Sequence, residues 1–202
     1  MDEHAGGRRL TVAALAGAIV AALLATVVIS PAVANSADSW SKLERPLHLP
    51  RLKQGARCPV SGIDRRVAWP RAHIFGLSGI GRGPVYPGLG FQHGVIRATT
   101  YAPYGGPWLG EKVFWYVLPS YRGPVLIRGR RLDGRQVLGF NGNRRPDREL
   151  RIPPGETVTW QGQPTGSRGV PSAVRVIAAG CYGFQIDGAN FSRVVVVRTL
   201  AR

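Results

Sequence analysis

Cysteine, methionine and acidic residues are scarce in this chain. Among 202 residues there are two cysteines, one methionine and 11 Asp plus Glu. Two cysteines exclude a disulfide-dense miniature scaffold, and their spacing rules out a C-x-x-C redox or zinc pair. Only His48, His73 and His93 follow the first 34 residues, and no ligand spacing meets a zinc or calcium template, so neither a metal nor a cofactor is expected. The acids are too scattered to flank a sugar with two carboxylates. Beyond residue 34 no segment carries a convincing helical period, which excludes helical bundles. Glycine and proline follow no G-X-Y period, which excludes collagen.

What is present is positive charge, turn formers and β-branched runs. The chain carries 27 Lys plus Arg, of which three are lysine (Lys42, Lys53, Lys112), for a net charge of +16. A hydrophobic fraction of 44% is too high for a disordered polyelectrolyte. With 27 Gly and 16 Pro, the chain is rich in turn residues. The length suits one domain of ordinary size.

At the N-terminus, Arg8 and Arg9 precede an uncharged run from Leu10 to Ser30, followed by Pro31 and Ala32-Val33-Ala34. A basic region, an apolar stretch and an A-x-A site make a secretory signal cleaved after Ala34. The run is also long enough for an uncleaved membrane anchor over residues 10–30. In both cases the positive-inside rule sends everything after residue 34 out of the cytoplasm. Arg8 and Arg9 are balanced by Asp2 and Glu3, so the whole +16 belongs to the exported part. There Cys58 and Cys181, 123 positions apart, are free to oxidise. A loop of that length is worth about 4–5 kcal/mol in the chain-entropy model.

The expected organisation is a signal peptide or anchor over 1–34, an extended lead-in over 35–57 that clears the domain from the membrane, and a β-domain over 58–202. Residues 71–94 are loop-rich, with room for a short edge strand. Strand signals follow at Val95–Tyr101, Lys112–Leu118, Val125–Leu132, Arg135–Phe140, Glu149–Ile152, Thr157–Trp160, Ala173–Ile186 and Phe191–Leu200. Asp133-Gly134 and Asp187-Gly188 read as hairpin turns. The pattern predicts an all-β, antiparallel sandwich, Ig-like or jelly-roll-like. Between Ala173 and Ile186 the even positions are the more apolar and should face the core. Cys181 then points the other way, and its bridge pins the lead-in to the outside of a sheet.

The run Gly180-Cys181-Tyr182-Gly183-Phe184-Gln185-Ile186-Asp187-Gly188, followed by Phe191-Ser192 and a valine-rich strand, resembles a group of uncharacterised exported bacterial proteins of actinobacterial type. They end in a similar Gly-Cys-Tyr-x-x-Gln-aliphatic-Asp-Gly hairpin. Gly83-Pro84-Val85-Tyr86-Pro87, Lys112-Val113 and Pro119-x-Tyr121-x-Gly123-Pro124 extend the resemblance over most of residues 58–200. It implies an envelope protein and transfers no activity.

Chemical motifs are near misses. Gly79-x-Gly81 reaches Pro84 where a dinucleotide loop needs glycine, and Gly76-x-Ser78-x lacks the final glycine of a nucleophile elbow. Glu111 is the only acid beside a predicted central strand. A site assembled in space from Glu111, Asp64, His73 or His93 is the hydrolase alternative. Tyr101, Tyr104 and Trp108, on a Gly/Pro-rich loop, are candidates for stacking on sugars, as in a carbohydrate-binding module. Arg128, Arg130, Arg131, Arg135, Arg144 and Arg145, with Arg148 and Arg151 nearby, are the candidate anion-binding residues. The leading expectation is a non-enzymatic envelope protein, binding or structural, that contacts anionic cell-wall polymer or a lipid surface. Nucleic acid is not expected as a partner of an exported chain.

Overall fold

The computed structural model describes residues 40–64, 79–88, 93–100, 106–142, 144–155 and 166–202. The N-terminal segment 1–34 and the expected strand at Thr157–Trp160 lie outside them. Among the described residues the regular structure is β, apart from a helical turn at Trp40 and Ser41. The strands are β1 (Val85–Pro87), β2 (Val95–Thr100), β3 (Leu109–Val117), β4 (Val125–Arg131), β5 (Gly139–Phe140), β6 (Glu149–Ile152), β7 (Arg168–Val176), β8 (Gly180–Gly188) and β9 (Phe191–Ala201).

They join in the order β5-β7-β3-β2-β9-β8-β4-β6, with β1 added on β3. Two isolated bridges draw the ends of this path together. Arg130 pairs with Val137, on the segment that continues into β5, and Phe140 pairs with Asp147, on the segment leading to β6. The result is a nearly closed, barrel-like sheet. A two-sheet antiparallel sandwich is not confirmed, for the path is continuous and one pairing is parallel. Val95–Ala98 of β2 run parallel to Arg198–Ala201 of β9, and Thr99–Thr100 then pair antiparallel with β3. Alternation identifies a strand and its inner face, but partner and direction are settled by contacts far apart in the chain.

On β7 and β8 the inner face is the one the alternation predicts. Val113, Trp115 and Val117 of β3 meet Val174 and Val176 of β7, Tyr182, Phe184 and Ile186 of β8, and Val195 and Val197 of β9. Trp115 stands edge-on to Phe184, 5.5 Å between ring centres, and donates its indole N–H to Ser172 Oγ at 2.9 Å. The outer face of β3 is covered too. Phe114 packs where any side chain at Gly169 would collide with it, and the Tyr116 hydroxyl meets Ser167 Oγ at 2.7 Å. The strand beside Glu111 is thus central, as predicted, with β7 and β2 on its two sides.

Several boundaries differ from the sequence reading: β3 starts at Leu109, and of Arg135–Phe140 only Gly139–Phe140 form a strand. The run Ala173–Ile186 is two strands, broken at residues 177–179, where Ala178 O accepts the Tyr182 hydroxyl at 2.8 Å. The even positions keep the core face across the break, so the phase argument survives it. Asp187 and Gly188 belong to β8, and the tight turn is Ala189–Asn190, with Gly188 paired to Phe191. Finally, β7 begins at Arg168 and runs through Pro171. Among the described residues β5 covers only Val174 and Arg175 of β7, and Pro171 has no ladder partner on that side, where proline is tolerated.

Phe184 is fully buried between Trp115 and Phe140. Phe184→Ala is therefore expected to cost about 3–5 kcal/mol of stability, read from a denaturant melt. A loss well below this would mean that the aromatic cluster is not the centre of the core.

Candidate functional site

The lead-in is a strap docked along the outer face of β4 and β8. Gln185, in the middle of β8, treats it as a neighbouring strand: its Nε2 donates to Pro46 O at 3.0 Å and its Oε1 accepts the His48 N–H at 2.7 Å. The same Nε2 lies 2.9 Å from Asp187 Oδ2. Asp187 has no solvent exposure. Arg128 Nη2 donates to Asp187 Oδ2 at 3.0 Å and also to Arg45 O. Arg45 itself reaches Asp187 Oδ1 at 3.6 Å and donates to Phe191 O at 2.6 Å. Arg130 Nη2 donates to Leu49 O at 2.8 Å. Below these polar contacts Leu49, Leu132, Cys181 and Val196 form a second apolar cluster under the strap.

This placement revises the candidate anion patch. Arg128 and Arg130 tie down the strap, and Arg131 donates to Asp133 Oδ1 at 2.7 Å and to Gln136 Oε1 at 3.0 Å. Arg135, Arg144 and Arg145 are exposed. Arg135 sits in the turn after β4, whereas Arg144 and Arg145 sit in the turn after β5. Asp187, read from sequence as a turn residue, is the buried counter-ion of Arg128. The alternation that puts Cys181 outside the core puts Gln185 and Asp187 on the same face, but the strap that covers them has no local signature.

The bridge joins Cys58 to Cys181 with 5.4 Å between their Cα atoms, and Cys181 faces the strap as predicted. Its oxidised state fits an oxidising compartment. Beside it lies an open cleft of about 1070 Å³. One wall is Gln54–Val60, and the other includes Arg131, Asp133, Gly180 and Arg198. Burial alone would raise the Asp133 carboxyl, but hydrogen bonds from Arg131 and the Cys181 N–H, together with the Arg131 charge, hold it below the usual range.

The remaining candidates do not converge. Tyr101, Tyr104, His73 and Ser78 lie outside the described residues. Trp108 is half-buried, and the Arg175 guanidinium lies over its ring at 5.7 Å, so one stacking face is occupied. His48 and His93 are exposed, and no group of three metal-ligating side chains occurs among the described residues. Asp64 accepts the Tyr86 hydroxyl at 3.0 Å and lines one cavity, whereas Glu111 lines another of about 400 Å³ with Asn141 and Ser172. Glu111 lies opposite Val174 and alternates in phase with Val113, placing it on the core-facing side of β3. Desolvation there raises its pKa, partly offset by the Lys112 N–H.

Among the described residues no helix is long and apolar enough to cross a membrane, and residues 10–30 lie outside them. Comparison with protein-family models, with curated proteins and with solved structures found no match.

Two outcomes follow from these geometries. Asp187→Ala strands Arg128, whose loss of its carboxylate should cost about 3–5 kcal/mol. It should also expose Lys53 and Arg51 in the strap to trypsin, and a variant as protease-resistant as the parent would count against the docking scheme. For Glu111, the raised pKa means that the folded chain holds a proton which the unfolded chain has already released. Stability therefore falls as pH rises through that window and stays lower above it. Glu111→Gln should melt higher than the parent near neutral pH, with the difference vanishing below the ordinary carboxylate range.

Proposed function

We propose that the protein is a non-enzymatic component of the bacterial cell envelope, secreted or anchored by residues 10–30, whose β-domain binds or braces an anionic polymer or lipid surface. The observation that carries this reading is the division of labour among its arginines. Arg128, Arg130 and Arg131 are engaged by the domain's own carbonyls, carboxylates and amide oxygen. Arg144, Arg145 and Arg148 are exposed on the loop between β5 and β6, leaving a strongly positive surface on a chain of net charge +16. Guanidinium groups of this kind suit phosphate and carboxylate partners. The oxidised staple and the apolar N-terminal segment support an extracytoplasmic setting.

A second reading, a secreted hydrolase, has one observation in its favour, the raised pKa of Glu111 beside a cavity. The polar neighbours of Glu111 in that cavity are Lys112, Asn141 and Ser172, and among the described residues no second carboxylate or histidine joins it, Asp64 lining a different cavity.

The purified full chain should bind phosphatidylglycerol vesicles or an anionic cell-wall polymer in low salt. Reversing Arg144, Arg145 and Arg148 to Glu should weaken binding by about tenfold or more, each exposed charge contributing up to about 1 kcal/mol near an anionic surface. Absent or salt-insensitive binding would remove the proposal.

A further inference from the structure

We infer that the cleft beside the Cys58–Cys181 bridge is a binding site for a soluble, phosphate-bearing polyanion. This deepens the anion-binding reading above and rests on it, but it moves the specific contacts away from the loop arginines.

The argument starts from Cys181, which draws three arginines to one place by three separate linkages. The disulfide fixes Cys58, and with it the adjacent Arg57, against β8. Pairing with β9 puts Arg198 directly across from Cys181. On the opposite side of β8, Leu132 N–H donates to Cys181 O at 2.7 Å, which brings its neighbour Arg131 to the same place. All three arginines line the cleft, and Asp133 is the only acid among the described residues that line it. That acid is already satisfied by Arg131 and the Cys181 N–H.

Arg57 and Arg198 are exposed, and their guanidinium groups make no hydrogen bond or ion pair among the described residues. Arg131 uses Nε and Nη1 internally, leaving Nη2 without an acceptor among the described residues. Its guanidinium lies against Gly180, where a Cβ would sit 2.8 Å from Cζ and push the end of this side chain aside. Like charges gathered around one compensated acid repel each other, and an anion relieves that repulsion while using the open donors. Both walls are preorganised. The strap wall is held by the disulfide and by Ser61, whose N–H donates to Val196 O at 2.9 Å and whose Oγ accepts the Val196 N–H at 2.9 Å. A concave cleft of about 1070 Å³ admits a short anionic chain, whereas a membrane surface is flat.

The test uses the full chain and sodium tripolyphosphate, followed by calorimetric titration in low salt. Combining Arg57→Ala with Arg198→Ala should weaken binding by about tenfold or more, as expected for lost charged hydrogen bonds. Both positions are exposed, so circular dichroism should report an unchanged fold. Arg82→Ala with Arg193→Ala, exposed positions that line a different cavity, should leave tripolyphosphate binding within about twofold, as expected when no direct contact is removed. Phosphatidylglycerol vesicles should fail to displace the bound tripolyphosphate. No binding by the parent chain, an undiminished affinity in the cleft variant, or displacement by vesicles would each overturn the inference. If vesicle binding then persists and depends on Arg144 and Arg145, the cleft falls while the envelope-surface reading stands.

Discussion

The position of the strap turns on one buried carboxylate. Asp187 sits on the outer face of β8 without solvent, and a charge there is tolerable only if it is paired and hydrogen-bonded. Arg128 from the neighbouring strand provides one partner and Arg45 from the strap another, while Gln185 adds a neutral donor. Because Arg45 comes from the strap and Arg128 also holds the strap's backbone, the ionic group is complete only with the lead-in docked. The apolar cluster of Leu49, Leu132, Cys181 and Val196 depends on the same docking. One carboxylate thereby makes the outer face of the sheet an interior and gives the barrel two cores in place of one.

Much of the fold is legible from period two alone. The inner positions of β7 and β8, the outward direction of Cys181 and the short edge strand near Val85 all follow from alternation and turn chemistry. What alternation does not carry is the identity of neighbours. The parallel pairing of β2 with β9 has no local signature, and neither does the bridge from Arg130 to Val137 that draws the path toward closure.

The same limit explains the site. Eight arginines between positions 128 and 151 look like one patch in sequence. Yet Arg128 and Arg130 share a strand face with the partners that bind them, Arg128 standing opposite Gln185, and that register is invisible locally. Asp187 carries the Asp-Gly signature of a turn, but its parity with Cys181 and Gln185 is the stronger signal. Conversely, Arg57 and Arg198 stand alone in sequence and meet only because a disulfide and a strand pairing put them beside the same residue.

The parallel pairing also bears on how the chain reaches its native form. The final strand lies in the interior of the sheet, between β8 and β2, and Arg202 N–H still donates to Ala98 O at 3.1 Å. Synthesis proceeds from the N-terminus, so β1 to β7 emerge while the seat between β2 and β8 is vacant. The seam is sewn by the last strand to appear. Until residues 191–201 arrive, the edges of β2 and β8 are open to any other extended segment, so the interval before completion is when this domain is most exposed to pairing with a second copy of itself.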